Sequence, residues 1–270
     1  MGERTAIEWT EATWNPVTGC SKVSPGCAHC YAEALSLRFG RSALPWTPAN
    51  AARNVQLHPD RLAQPHRWRQ PRLVFVNSMS DLFHERIPAR FIDAIVAVMH
   101  AASHHTYQIL TKRPERARDL LVSGAVRPLP DNAWIGVSIE NSRFNGRADV
   151  LREVPARVRF ISAEPLLGSL FESGPRRLRL GLAGVDWMIV GGESGPRARP
   201  MQAVWARELR DACRAARIPF FFKQWGGRTP KAGGRLLDKA LHDEMPRPTP
   251  VTGETASLFP PDRCRAAAPL

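Results

Sequence analysis

Cys20, Cys27 and Cys30 recur with the spacing C-x6-C-x2-C, and Gly19, Pro25 and Gly26 beside them let the backbone wrap around an ion or cluster. Three soft thiolates at one site suit zinc or an iron–sulfur cluster. On a four-iron cube they leave one iron without a protein ligand. A structural zinc would need a fourth ligand, with His29 or another histidine as the candidate, and the spacing alone leaves both metals open. Five cysteines are an odd number, and three within eleven residues make a poor disulfide framework but suit metal binding in a reducing compartment. Cys213 falls on the apolar face of a helical pattern and reads as core packing, and Cys264 lies in the tail.

The elements that must position such a site alternate. Short apolar, β-branched or aromatic runs predict strands over 13–17, 73–77, 107–111, 134–138, 159–163, 187–190 and 219–223. The clearest helical spacings are 89–102, with Phe91, Ile92, Ile95, Val98 and Met99 on one face, and 203–216, with Val204, Leu209, Ala212 and Cys213. Fully apolar runs such as Leu73-Val74-Phe75-Val76 fit parallel strands buried on both faces, and repeated βα units imply an α/β barrel or a doubly wound sheet. Six of the strands run into polar clusters: Asn77 to Asp81, Thr111 to Arg113, Ser138 to Asn141, Glu164, Gly191 to Ser194, and Lys223 to Trp225. Parallel α/β folds collect their sites at that edge, although some of these residues, such as Ser78 and Ser138, also suit helix caps.

The chain of 270 residues is expected to form one barrel-sized domain over 1–245, with 40–72 as an insertion or loop and 246–270 as a Pro-rich, poorly ordered tail. No apolar run reaches the ~18 residues of a membrane span and the start lacks a signal-peptide pattern, so a cytoplasmic location is expected. A net charge of +13 points to a polyanion such as nucleic acid. The basic residues are 33 arginines and only five lysines, scattered without a long block, which equally describes a solvated basic surface.

Read with their neighbours, these cysteines resemble those of a phage-associated protein family of unassigned function. The resemblance is carried by Ile7 to Cys20, Ser24 to Cys27, Cys30 to Glu33, Phe160 to Gly168, Val190 to Pro196 and Phe220 to Gly227, and it covers residues 5 to 245. That family in turn is similar to the radical S-adenosylmethionine (SAM) superfamily and, more distantly, to spore photoproduct lyase, a DNA-repair member. The resemblance implies a partial or full (β/α) barrel, a [4Fe–4S] cluster on Cys20, Cys27 and Cys30, and SAM bound at the open iron. It further implies an external reductant for the cluster and reductive cleavage of SAM to an adenosyl radical that abstracts hydrogen. It supplies no reaction or oligomeric state; nucleic acid is the leading substrate class, for repair or modification.

The superfamily pattern has a three-residue first gap, so the six-residue gap here demands a longer loop. His29 stands where the superfamily often has an aromatic residue touching adenine; a loop hydrogen bond is the other role open to it. In place of the superfamily's Gly-Gly-Glu after the second strand stand Asn77 to Asp81, which makes Ser78 and Asp81 the candidate receivers of the SAM ammonium. Lys112 would pair with the SAM carboxylate, and Ser138 and Glu140 would bind ribose hydroxyls. Glu164, Glu193, Lys223 and Trp225, on later strand ends, would face the substrate, with Trp225 stacking on a flat group; an acid and a base there could instead form a structural ion pair. Tyr31 and Tyr107, the only tyrosines, are radical-relay candidates or packing residues. The competing functional class is a zinc- or cluster-stabilised nucleic-acid-binding or phage accessory protein without SAM turnover.

Overall fold

The computed structural model describes residues 5–42, 44–171 and 180–247; the tail from residue 248, with Cys264, lies outside the described residues. The strands are β1 (Ala12–Trp14), β2 (Val17–Thr18), β3 (Gln56–Leu57), β4 (Leu73–Val76), β5 (Thr106–Thr111), β6 (Ala133–Ser138), β7 (Val158–Ala163), β8 (Trp187–Gly191) and β9 (Phe220–Gln224). The helices are α1 (Tyr31–Arg38), α2 (Ala51–Asn54), α3 (Ala89–Ala101), α4 (Pro114–Val122), α5 (Gly146–Glu153) and α6 (Ala203–Ala216).

Seven strands form one sheet in the order β1-β4-β5-β6-β7-β8-β9, every pair parallel. Each strand after β4 lies beside its predecessor, so the sheet winds in one direction, as βα units do when every crossover has the same hand. Among the described residues β1 and β9 do not pair, and the curled sheet is a partial (β/α) barrel.

The predicted strand 13–17 is broken. Pro16 has no N–H to continue a ladder, and Val17 and Thr18 turn away to pair antiparallel with β3. Likewise β4 stops before Asn77, whose left-handed φ of 59° ends the extended run. The segment 40–72 packs onto the sheet: Trp46 and Trp68 are buried, and the Trp14 indole donates to the carbonyl of Arg61 at 2.8 Å.

Alternation sorts the strand residues into two cores. On the helix side Val74, Val76, Ile109, Ile135, Ile161, Met188 and Phe222 meet Ile92, Ile95 and Met99 of α3 and Leu209 and Cys213 of α6. On the concave side Phe75, Trp134, Phe160, Trp187 and Phe221 form an aromatic plug with Trp9. Trp187 is its centre, with ring centroids 5.5–6.2 Å from Phe160, Trp134, Phe221 and Trp9. Further along, the carboxyl ends of these strands carry Ser138, Ser162, Gly191 and Lys223, with a register shift between β8 and β9 at Gly191, and Asn77 follows just beyond β4. A polar layer thus overlies an aromatic floor.

Gly136 makes room for that floor, because a Cβ there would fall 2.5 Å from the Phe160 ring. Gly136→Ala should therefore destabilise the chain by ~1–3 kcal/mol in urea denaturation; wild-type stability would show that the plug can yield. Among the described residues no helix is long and apolar enough to cross a membrane.

Candidate functional site

The three cysteines lie on one loop that crosses the carboxyl edge of the sheet. Its start is fixed by backbone: Gly19 donates to the Met79 carbonyl at 2.9 Å, and its φ of +83° and the closeness of the Asn54 carbonyl, 1.8 Å from where a Cβ would stand, admit only glycine. Cys20 is thereby delivered to the end of β4. There Arg113 points one nitrogen at Cys20 Sγ (3.6 Å) and Asp81 (3.2 Å), and donates with the other to the Ser21 carbonyl (3.1 Å) and hydroxyl (3.0 Å). The loop continues past β6, where the Ser24 hydroxyl donates to Glu140, and past β8, where Arg199 donates to the Pro25 carbonyl at 2.9 Å and His29 Nδ1 donates to Glu193 at 2.9 Å. Tyr31 then returns to the β4 end, its hydroxyl donating to the Ser78 carbonyl at 2.7 Å.

None of the three thiols is in a disulfide, and all are half-buried. Burial pushes the Cys20 thiol up to about 12, with Asp81 adding to it and Arg113 opposing. Burial also raises Cys30, the residue before α1, while the N–H groups of Glu33 and Ala32 and the charge of Lys112 pull it back. The unmetallated Cys20 and Cys30 thiols are thus neutral at physiological pH, and a bound cationic group would displace their protons. Among the described residues no three His, Cys, Asp or Glu side chains converge on a single metal-ion position. The donor set, three soft sulfurs on one loop with Arg113 beside Cys20 and Lys112 acting on Cys30, fits in chemistry a multi-iron cluster, larger than a single ion, whose negative charge those cations would offset.

The other sequence-predicted residues divide by what already engages them. Asp81 is saturated: its oxygens accept from Phe83 N (3.0 Å), Thr111 Oγ1 (2.7 Å), Lys112 N (3.0 Å) and Arg113. Glu140 is fully buried and accepts from Arg147 (3.1 Å) as well as Ser24. Glu193 accepts from the Arg199 side chain and backbone and from His29; burial would raise its pKa, but those hydrogen bonds prevail and hold it at about 2. Any cofactor or substrate group reaching these carboxylates must compete with the protein's own donors. Ser78 exchanges hydrogen bonds with Asn15. Ser138 ends β6 on the concave face, its carbonyl held by Arg147 at 2.8 Å. Glu164 and Lys223 form a partly exposed ion pair at 2.6 Å. Trp225 packs with the helix-side core, 5.0 Å from Phe222, and donates to the Leu236 carbonyl, which leaves it less free to stack than a strand-end aromatic suggests. Tyr107 is fully buried, its hydroxyl donating to the Ala102 carbonyl.

Sequence reasoning missed His84, Arg147 and Arg199, and gave no role to Ser24, which lies in a quoted motif, or to Arg113, which closes a strand-end polar cluster. Arg113, Arg147 and Arg199 each follow a predicted site residue closely, Lys112, Glu140 and Glu193 respectively, but arginines were so numerous that buried ones did not stand out. His84 accepts from Arg86 N–H through Nδ1 (3.1 Å), so its Nε2–H donates to Ser21 Oγ at 2.9 Å. Burial, reinforced by Arg113, holds its pKa down to about 4. A histidine depressed below its unfolded value of about 6.5 contributes stability that is complete above that pH and is lost as pH falls towards 4. The metal-free chain should lose ~3 kcal/mol of stability across that window from this group. In paired denaturation curves at pH 7 and 4.5, His84→Asn should shrink the gap; an unchanged gap would contradict the buried neutral imidazole.

No curated protein matches the chain in sequence. Among solved structures, spore photoproduct lyase complexed with dinucleoside spore photoproduct is similar to it at 15% identity, covering 75% of this chain and 72% of that one with a TM-score of 0.43. A point mutant of the same lyase with dinucleoside spore photoproduct gives 15%, 75%, 72% and 0.42. A family model described as "Protein of unknown function (DUF5131)" matches residues 4–246, nearly all of the described chain, and the protein belongs to that family.

Proposed function

We propose that this chain is an iron–sulfur enzyme of the radical SAM type, with a [4Fe–4S] cluster on Cys20, Cys27 and Cys30 and SAM at the carboxyl edge of the sheet. The observation that carries the reading is one loop of three free thiols lying across that edge, above a polar layer on a concave parallel sheet. The bound cofactors would supply reductive cleavage of SAM and hydrogen abstraction.

The chain's residues bind and orient. Lys112 is half-buried, acts on Cys30 electrostatically and makes no ion pair among the described residues, which suits it to the SAM carboxylate. Ser78 and Ser138 offer polar groups on either side of it, and His29, on the loop itself, offers a ring edge to adenine. Asp81 and Glu140 serve through what they hold, Arg113 and the loop. Glu164 and Lys223 stand above the aromatic floor as a donor–acceptor pair for substrate, and the net charge of +13 supports a nucleic-acid substrate. An acidic one-electron donor protein would complement the same charge.

Incubation of the anaerobically reduced protein with SAM tests the reading. Methionine and 5′-deoxyadenosine are expected in equal amounts; cluster-loaded protein that forms neither would overturn it in favour of a binding protein. Lys112→Ala should weaken SAM binding by about tenfold or more, since it deletes a charge-assisted contact of ~1.5–3 kcal/mol, as read by equilibrium dialysis. Unchanged affinity would remove Lys112 from the site.

A further inference from the structure

The six-residue gap between Cys20 and Cys27 makes the loop long, and within its distal half the backbone holds its own shape through two turn bonds, Cys27 N–H to the Ser24 carbonyl (2.9 Å) and Ala28 N–H to the Pro25 carbonyl (3.1 Å). The turn Pro25–Cys27 buries none of its residues. Arg113, His84, Trp46 and Glu33 hold Ser21 and Lys22, whereas the stretch from Ser24 to His29 is held from the far strand ends. Glu140, between Arg147 and Ser24, packs so closely on Gly26 that a Cβ there would lie 2.4 Å from the carboxylate. Glu193 is joined to the loop twice, through His29 and through Arg199, which also grips the Pro25 carbonyl. The backbone of Glu193 is itself locked. A Cβ on Gly192 would sit 2.0 Å from the Trp225 carbonyl and one on Gly226 2.1 Å from the Glu193 carbonyl, and Gly227 donates to Glu193 O at 2.9 Å. The glycine pairs after β8 and β9 thus interlock to aim one carboxylate at the loop.

We propose that Glu140 and Glu193 are positioning residues, which suspend the cysteine loop from the ends of β6 and β8 so that Cys27 and Cys30 are presented to the same group as Cys20. This rests on the metal-site reading above, and it places both glutamates under the loop and not against substrate. Loss of either anchor frees the loop to open locally without unfolding the sheet.

The test is alkylation of the metal-free full chain by iodoacetamide, followed site by site by mass spectrometry. In Glu193→Ala the rates at Cys27 and Cys30 should rise about tenfold or more, and in Glu140→Ala that at Cys27, with buried Cys213 still protected as the internal control for folding. Should either variant expose Cys213, Ser24→Ala removes the Glu140 anchor from the loop side, and His29→Ala combined with Arg199→Gln removes both links to Glu193, with the two glutamates left in place. After anaerobic reconstitution the released variants should hold less iron and show an altered electron paramagnetic spectrum, which a purely structural role far from the thiols would not produce. Wild-type alkylation rates at Cys27 and Cys30 in the folded variants would overturn the proposal. A wild-type chain that takes up no iron would instead defeat the metal-site reading, while the alkylation rates would still decide on the anchors.

Discussion

Cys27→Ala is expected to lower iron from about four atoms per chain to below about one, because two remaining thiolates cannot hold a four-iron cluster whose fourth iron already lacks a protein ligand. SAM cleavage should vanish with it. The change should leave folding nearly untouched, since Cys27 closes an exposed-sided turn with no buried residue. Cys213→Ala is the matched control: that thiol lies in the helix-side core, where burial raises its pKa to about 12, and its loss should cost packing but no iron. Metal analysis of the two variants side by side decides. Equal iron in both would separate the three-cysteine loop from the metal.

Asp81→Ala should be the most destabilising single change in the site. Its carboxylate accepts four hydrogen bonds from the β4 and β5 ends, and its removal leaves the buried Arg113 guanidinium beside Cys20 with only Glu85, a largely exposed carboxylate 3.0 Å away, as counter-charge. Breaking a buried pair from one side costs about 3–5 kcal/mol. Urea denaturation of the metal-free chain should show that loss, whereas Asp238→Ala, which breaks an exposed pair with Arg207 and Arg210, should show little. A loss for Asp81→Ala no larger than for Asp238→Ala would mean that the existing pair with Glu85 suffices for Arg113.

The sheet was legible because its strands are buried on both faces: runs such as Trp187 to Val190 can be little else in a chain with βα spacing. Helices α3 and α6 were legible from their apolar stripes, although Val204, read as part of the α6 stripe, is exposed and Ala206 is buried with Leu209 and Cys213. By contrast α1 buries Ala32, Glu33 and Ser36 and exposes Leu35 and Leu37, so its apolar pattern points away from the side that packs. The break at Pro16 needed knowledge of β3, a partner forty residues away that no local pattern reveals.

In the site, the cysteines announced themselves by type and spacing. The carboxylates did so only by type. Sequence placed Asp81, Glu140 and Glu193 at the functional edge, but an acid's role depends on which donors reach it, and Arg113, Arg147 and Arg199 arrive through folding. The motifs Gly191-Gly192-Glu193 and Gln224-Trp225-Gly226-Gly227 stood out as segments, whereas their mutual interlock is a property of two loops packed backbone to backbone. Ser162, with a buried hydroxyl that has no hydrogen-bond partner among the described residues, was hidden for the opposite reason: a serine in an apolar strand reads as filler.

The most direct test of the account is iron and sulfide analysis of anaerobically purified wild-type protein, joined to the electron paramagnetic spectrum of the reduced protein with and without SAM. About four irons and four sulfides per chain, with a spectrum that shifts on adding SAM, is the predicted result. One zinc and no iron, or a cluster whose spectrum ignores SAM, would contradict it.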